Sequence, residues 1–401
     1  MPWRETCRVE ERERLVEAVL SRKLTVQELS RKFGVSRKTA YKWVARYRER
    51  GREGLLDRSR APHRQGRAIE HEVAERLSQM RVAAPLLGPR KLRALLQVEH
   101  PQLHAPAAST IGDLLHKAGL VSSRRRRRRW PRSTGGWPAP QAPNEVWAAD
   151  FKGWFRTADG RRCDPLTVSD LSSRYLLACQ IVARPTGSEV DAVFERVFKE
   201  YGLPQAIRTD NGPPFASIGL AGLTRLAVKW LKAGINLQRI APGKPAQNGC
   251  HERMHRTLKA ATAAPPASDP QAQQQRFDQF RGEFNQRRPH QALGQTPPAA
   301  HYQASPRAWP ARLQDPEYGA DYQARRVRGN GEIKWRGELI FVSESLLGEL
   351  LGISELECGD WLLQFTDFNL AVIDRQTFKL RPAWAGPRPC PCARIQRLSP
   401  M

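Results

Sequence analysis

The sequence predicts a multidomain chain in which all-α helix-turn-helix units come first, an α/β core with a mixed sheet follows, and a small β-barrel comes last. Short helical patterns fill the N-terminal third, where the first 140 residues hold 32 basic and 14 acidic side chains and thus +18 of the net charge of +26. Strand and helix patterns then alternate through the middle of the chain, and short strand patterns follow residue 325. The strongly basic first third indicates a polyanionic partner, and nucleic acid fits best.

The first predicted domain, residues 1–55, carries the signals of a helix-turn-helix. A helix over residues 10–20 is followed by a capping box at Thr25 and Glu28 and by a second N-cap at Ser36. The last helix ends at Gly51 and supplies the cations that would meet a DNA groove, namely Arg37, Lys38, Lys42 and Arg46. We predict DNA binding here; the alternative is a solvated helix pair without that role.

A second helix-turn-helix-like domain is predicted at residues 65–121, and an Arg-rich linker at residues 122–143. The linker contains six consecutive arginines, whose charges repel one another and keep the segment solvated until it meets phosphate groups. These residues are Arg124, Arg125, Arg126, Arg127, Arg128 and Arg129. The functional interpretation is an arm that grips the DNA backbone or minor groove, and the alternative is a linker that is merely solvated.

The α/β core is predicted at residues 144–303. Three strands of hairpin type come first, near residues 146–155, 165–169 and 175–182, and an amphipathic helix over residues 189–201 follows them. Helices and strands then alternate, which favours a mixed sheet covered by helices.

The C-terminal part has two predicted segments. Four short strand patterns between residues 325 and 382 predict a small β-barrel, and the Pro- and Arg-rich residues 383–401 are interpreted as a tail.

Composition and motifs exclude several classes of protein. The charged N-terminus has no apolar segment typical of a signal peptide, and no apolar run approaches the roughly 18 residues of a membrane helix. Seven scattered cysteines, an odd number, indicate reduced thiols in a cytosolic protein. Without such an apolar run we expect no membrane partner. No Walker-type phosphate loop is present in the sequence, so we expect no nucleotide cofactor.

Three acidic residues occupy positions that suit a metal site. Asp150 interrupts an apolar strand, Asp210 ends a short strand before a glycine turn, and Glu252 lies in the first turns of a helix. A carboxylate in an apolar strand is costly unless it binds something. The carboxylate oxygens of the three acids are hard ligands that suit two Mg²⁺ or Mn²⁺ ions. These ions would activate a water or a 3′-hydroxyl for phosphoryl transfer. Asp170 is instead interpreted as a turn residue.

The contexts of these acids resemble a known family, the DDE transposases of bacterial insertion sequences that share the retroviral-integrase catalytic core. The resemblance covers about residues 144–302. The matching stretches are Trp147-Ala-Ala-Asp150-Phe-Lys, Thr209-Asp210-Asn-Gly, Pro245-Ala-Gln-Asn248-Gly-Cys-His-Glu252-Arg, and Phe284-Asn-Gln-Arg-Arg-Pro-His290.

This resemblance implies an RNase H-like core and a metal-dependent recombinase with Asp150, Asp210 and Glu252 as its metal-binding triad. Helical spacing sets His255, Arg256 and Lys259 on the face of Glu252, where they would hold the DNA backbone. The alternative for this face is a solvated charged surface.

The expected protein is a cytoplasmic bacterial transposase, associated with the nucleoid when bound to DNA. Its expected partners are the terminal inverted repeats, target DNA and further copies of itself, as a homodimer or higher homo-oligomer on DNA. Two alternatives remain: an RNase H-like nuclease that cuts without joining, and a non-catalytic DNA-binding regulator derived from a transposase. The absence of joined products would favour the first, and the absence of Mg²⁺ or Mn²⁺ binding the second.

Overall fold

The computed structural model describes residues 7–58, 69–121, 137–241 and 248–383. Residues Arg124–Arg129 and most of the predicted tail therefore lie outside the described residues. The chain divides into two compact units, Met1–Ala68 and Ile69–Met401. Across the described ranges, no helix combines the length and apolar character that a membrane crossing demands.

The first unit is built from three helices, α1 (Arg8–Leu20), α2 (Val26–Lys32) and α3 (Arg37–Arg50). The predicted capping box is present, because the Thr25 hydroxyl accepts from the Glu28 backbone N–H and the Glu28 carboxylate accepts from that of Thr25. Ser36 caps α3 in the same way. The three predicted helices of this domain and both predicted caps are thus present. One apolar cluster holds them together: Leu15, Val16, Leu29, Ala40, Trp43, Val44 and Leu55.

The second unit begins with a helical region of three more helices. They are α4 (His71–Ala83), α5 (Pro89–Glu99) and α6 (Ala108–Lys117). Their apolar faces form a core of their own around the fully buried Leu77, Leu92 and Ile111.

A mixed sheet forms the centre of the second unit. Its strands are β1 (Val146–Phe151), β2 (Phe155–Arg156), β3 (Arg162–Asp170), β4 (Leu176–Val182), β5 (Ala206–Thr209) and β6 (Asn236–Arg239). The order is β4-β3-β1-β5-β6, with β2 paired to the start of β3. Strands β4, β3 and β1 are antiparallel neighbours, whereas β1, β5 and β6 run parallel. The predicted mixed sheet is confirmed, and it supports an RNase H-like core.

Four helices cover the two faces of this sheet. They are α7 (Gly187–Tyr201), α8 (Arg225–Lys232), α9 (Gly249–Thr262) and α10 (Pro270–Gln286). Phe194 of α7 and Trp230 of α8 pack with Trp147 of β1. On the opposite face, Leu258 of α9 and Phe277 of α10 pack with Leu176 of β4.

The C-terminal strands form an open sheet, so the predicted β-barrel is wrong. The strands are β7 (Tyr322–Arg326), β8 (Glu332–Trp335), β9 (Glu338–Phe341), β10 (Leu350–Glu355), β11 (Trp361–Phe365), β12 (Phe368–Ile373) and β13 (Leu380–Pro382). The sheet has the order β13-β12-β11-β10-β7, while β8 and β9 pair only with each other. The apolar cluster of this sheet also contains Val228 and Leu231 of α8, and Leu223, which precedes α8. Because this surface and the β8–β9 hairpin bury its apolar side chains, the sheet need not close on itself.

Candidate active site

Asp150 lies near the end of the central strand β1, opposite Thr167 of β3. Side chains alternate along β1, so Trp147 and Ala149 face α7 and α8 while Asp150 faces the side that α9 and α10 cover. The Asp150 side chain keeps 24% of its surface exposed.

Asp210 follows the last residue of β5, which runs parallel to β1. Ala148 pairs with Arg208, so two further residues along both strands bring Asp150 and Asp210 level at the same sheet edge. The turn after Asp210 leaves room for its carboxylate, because a Cβ on Gly212 would lie only 3.1 Å from Asp210 Oδ2. Asn211 anchors this turn by donating to the Ile240 carbonyl at 2.6 Å.

Glu252 lies in the first turn of α9 and is exposed. The buried Met254 and Leu258 hold this helix against β4 and α10. The end of β1, the end of β5 and the start of α9 therefore place the three predicted acids at one region of the sheet face.

The pKa of the Asp150 carboxyl is raised above its usual value. Burial raises this pKa, and the negative charges of Asp210 and Glu252 raise it further, to about 7. A backbone hydrogen bond at Phe151 and the Lys152 ammonium act in the opposite direction. Asp210 and Glu252 are thus close enough to Asp150 for their charges to act on its carboxylate.

This group of acids fits a divalent cation by charge and by ligand type. Carboxylate oxygens suit Mg²⁺ or Mn²⁺, and a cation would relieve the repulsion that acts on Asp150. However, no three His, Cys, Asp or Glu side chains of the described residues stand ready to hold one ion. Asp210 and Glu252 are exposed and form no ion pair within the described ranges.

A buried polar network behind Asp150 joins β3 to α9. Thr167 Oγ1 lies 2.7 Å from His251 Nε2, 2.6 Å from His255 Nε2 and 3.1 Å from the Asp150 carbonyl oxygen. Ser169 Oγ lies 2.9 Å from His251 Nδ1. A hydroxyl has one proton, so at least one imidazole donates to Thr167 from Nε2. The network fixes the helix of Glu252 to the strand beside Asp150.

The structure corrects the prediction that His255 shares an exposed face with Arg256 and Lys259. His255 is only 6% exposed and lies 3.8 Å from Asp150 Oδ2 through its Nδ1, whereas Arg256 and Lys259 are exposed. Burial, together with the neighbouring His251 and the charge of Lys152, lowers the pKa of His255 to about 2. A neutral, buried imidazole cannot act as a phosphate-binding cation.

The sequence contains a signal for this network that the prediction of an exposed His255 does not take into account. Thr167 and Ser169 alternate with apolar residues along a strand in which both faces are buried, and His251 and His255 are one helical turn apart. A polar stripe on each element predicts a polar contact between the two.

The predicted DNA-binding residues of α3 are mostly free on the surface. Arg37, Lys38 and Lys42 are exposed, and Lys42 Nζ lies 4.4 Å from the centre of the Trp43 ring. Arg46 is half-buried, with its guanidinium 5.0 Å from the same ring.

Asp170 has the structural role that the sequence predicts. Its carboxylate accepts from the Ser173 backbone N–H at 2.7 Å, the Ser173 hydroxyl at 2.6 Å and the Asn144 backbone N–H at 2.8 Å. These bonds fix the turn between β3 and β4 and leave Asp170 outside the group of three acids.

Family models match three parts of the chain. Two integrase core domain models match residues 140–245 and 233–298. A third, the leucine-zipper of insertion element IS481, matches residues 5–83. The integrase matches include the segments that carry all three acids.

Individual relatives agree with these matches. A 31.7 kDa protein of insertion element IS407 from Burkholderia multivorans is 32% identical over 265 residues, which cover 61% of this chain and 87% of that protein. A 39.2 kDa protein of insertion element IS476 from Xanthomonas euvesicatoria is 29% identical over 57% of this chain and 63% of that protein. Among solved structures, the catalytic core domain of HTLV-2 integrase in complex with magnesium is 18% identical, with a TM-score of 0.33 over 40% of this chain and 98% of that chain.

Proposed function

The chain belongs to the insertion-element transposases with an integrase-type core, and on that basis we propose that it binds the ends of a mobile DNA element, cleaves them and joins them to target DNA. The proposal is supported by Asp150 and Asp210 standing level at the ends of two adjacent parallel strands, with Glu252 in the first turn of the helix that contacts Thr167, the neighbour of Asp150. Phosphodiester hydrolysis and transesterification need no nucleotide cofactor, because the bonds broken and formed are alike.

In this proposal Asp150, Asp210 and Glu252 hold two Mg²⁺ or Mn²⁺ ions. When bound, the ions would activate the attacking water or 3′-hydroxyl and stabilise the leaving oxygen. Asp150 supplies the fixed ligand, since its strand is buried and its position is set by Thr167. Asp210 and Glu252 supply exposed carboxylates that can follow the substrate.

We assign the first contact with the element ends to the domain at residues 1–55. Arg37, Lys38 and Lys42 are exposed on α3, and the arginines at 124–129 would add phosphate contacts. Arg256 and Lys259 are exposed on the helix of Glu252 and would hold the backbone near the reacting phosphate.

A strand-transfer assay tests this function. The purified chain is incubated with labelled DNA that carries its own element ends, with target plasmid and with Mn²⁺. We expect joined products from the wild type and none from Asp150→Asn or Asp210→Ala, while both variants still bind the labelled ends. Glu195→Gln is the matched control, because its carboxylate pairs with Lys199 and Lys229 away from the site.

Two results would contradict the proposal. Joined products from Asp150→Asn at the wild-type rate would remove the assignment of the acids. Nicked DNA without any joined product would favour the nuclease alternative instead. Because two ends must be joined together, we also propose a homodimer or higher homo-oligomer on DNA, which cross-linking of the DNA-bound protein would detect.

A further inference from the structure

Buried polar side chains of β3 and α9 form a continuous row that ends at Asp150. Ser169 Oγ lies 2.9 Å from His251 Nδ1, and Thr167 Oγ1 lies 2.7 Å from His251 Nε2 and 2.6 Å from His255 Nε2. His255 Nδ1 in turn lies 3.8 Å from Asp150 Oδ2. The four residues before Asp150 in this row are each at most 6% exposed, so their polar atoms have to satisfy one another.

The number of protons in the row limits the direction in which its bonds can run. A hydroxyl has one proton, and a neutral imidazole carries one N–H, on either of its two nitrogens. Because both Nε2 atoms contact the single Thr167 hydroxyl, the tautomer of His251 is coupled to that of His255. If His251 donates to Thr167 and Thr167 donates to His255, the proton of His255 lies on Nδ1 and faces Asp150. In every other arrangement that pairs both Nε2 atoms, His255 donates to Thr167 and turns an unprotonated Nδ1 toward Asp150.

The Asp150 carboxylate favours the first of these arrangements. A nitrogen lone pair 3.8 Å from Oδ2 would repel the negative charge, whereas an N–H at the same place attracts it. The separation is longer than a hydrogen bond, so the contact orients the carboxylate by electrostatic attraction. The favoured direction therefore runs from Ser169 through His251, Thr167 and His255 to Asp150.

The same hydroxyl also contacts the main chain of Asp150. Thr167 lies opposite Asp150 in the pairing of β3 with β1, and its Oγ1 is 3.1 Å from the Asp150 carbonyl oxygen. Its proton can be shared between this carbonyl and His255 Nε2, as in other three-centre hydrogen bonds. The backbone and the carboxylate of Asp150 are thus both held by one buried network.

We propose that Ser169, His251, Thr167 and His255 are positioning residues, whose directed hydrogen bonds orient the Asp150 carboxylate toward a divalent cation. They act through Asp150 and not by contact with the cation. Groups that orient metal ligands in this way change metal affinity by about 10–100-fold when they are removed. This role rests on the proposed function, in which Asp150 is a metal ligand.

Nuclear magnetic resonance of the wild-type chain tests the direction of the bonds. The full chain is labelled with nitrogen-15 histidine and studied in EDTA at about pH 8, where Asp150 is ionised. Long-range proton–nitrogen spectra show which ring nitrogen carries the proton, and the variants His251→Gln and His255→Asn assign the signals. We expect His251 to be protonated on Nε2 and His255 on Nδ1. Protonation of His255 on Nε2 would overturn the proposal.

The affinity for Mn²⁺, measured without DNA by electron paramagnetic resonance of the free ion, tests the effect on Asp150. His255→Gln keeps an amide at the place of Nε2 but removes the group that faces Asp150, so we expect about tenfold weaker binding. His255→Asn places an amide N–H donor where Nδ1 stands and should recover most of the affinity. A His255→Gln variant that binds Mn²⁺ as tightly as the wild type would contradict the positioning role.

Thr262→Val is the matched control for a general loosening of α9. The buried Thr262 hydroxyl donates to the Leu258 carbonyl at 2.8 Å within the same helix, away from Asp150, so the variant should keep the wild-type affinity for Mn²⁺. An equal loss in Thr262→Val and His255→Gln would show that helix stability alone matters and would overturn the proposal. Neither measurement needs catalysis. A wild type that shows the expected tautomers and Mn²⁺ affinities yet joins no DNA would therefore count against the proposed strand transfer and not against this role.

Discussion

At the scale of single residues, the fold disfavours the charged form of Asp150. Its raised pKa means that the folded protein keeps a proton that the unfolded chain releases between about pH 4 and pH 7, so this residue's contribution to stability is lost as the pH rises through that window. In EDTA, Asp150→Asn should therefore be more stable than the wild type at pH 8, by about 2–4 kcal/mol, and the advantage should shrink toward pH 5. Urea unfolding at both pH values measures this difference.

The comparison with the wild type matters because other groups titrate in the same range. His251 and His255 have lowered pKa values and make both proteins less stable in acid, so their effect is largely common to the two. An equal difference between Asp150→Asn and the wild type at pH 5 and pH 8 would contradict the electrostatic account of the site.

Thr167 is the residue on which the buried network depends. Thr167→Val keeps the shape of the side chain but leaves the Nε2 atoms of His251 and His255 without a partner, so we expect a loss of about 1–3 kcal/mol in the free energy of unfolding. Thr167→Ser retains the hydroxyl and should lose much less. Chemical denaturation of both variants gives the values, and equal losses would show that the methyl group, not the hydroxyl, is important.

At the scale of elements, local signals determined what could be predicted. The caps Thr25 and Ser36 are contained in a few consecutive residues, so α2 and α3 begin where the sequence indicates. Strand β10 has no clear strand pattern in the sequence, because Gly352 interrupts its apolar residues; the ring of Tyr318 packs where a side chain at Gly352 would otherwise stand. The three acids of the proposed site are predicted from their sequence contexts. The burial of His255 cannot be predicted in that way, because it depends on which face of α9 meets β3.

Two glycines test the packing of individual helices. A Cβ at Gly54 would lie 2.2 Å from the backbone oxygen of Arg46, so Gly54→Ala should destabilise the junction after α3 by about 1–3 kcal/mol. Gly282 lies inside α10 with nothing within 4 Å of its Cβ position, so Gly282→Ala should stabilise by about 0.5–1 kcal/mol. Calorimetry on the full chain measures both, and a destabilising Gly282→Ala would contradict the described surface of α10.

At the scale of the whole molecule, the C-terminal sheet shares its core with the integrase-type core. Leu363 and Ile353 of the sheet belong to the same apolar cluster as Val228 and Leu231 of α8. The sequence predicted a self-contained barrel because each strand pattern reveals an apolar face but not the surface that covers it. Where that surface lies is a property of the tertiary structure alone.

The shared core predicts that damage to the sheet spreads into α8. Leu363→Ala removes a fully buried side chain and should cost about 2–5 kcal/mol, and amide hydrogen exchange should quicken in α8 as well as in β11. Leu29→Ala removes a buried leucine from the apolar cluster of the first unit and should quicken exchange in residues 8–50 without changing α8, whose residues belong to other clusters. Unchanged α8 exchange in Leu363→Ala would mean that the sheet opens independently of the core. Faster exchange in α8 would instead mean that the sheet stabilises the segment that follows Asp210, because α8 and the turn before it connect β5 to β6.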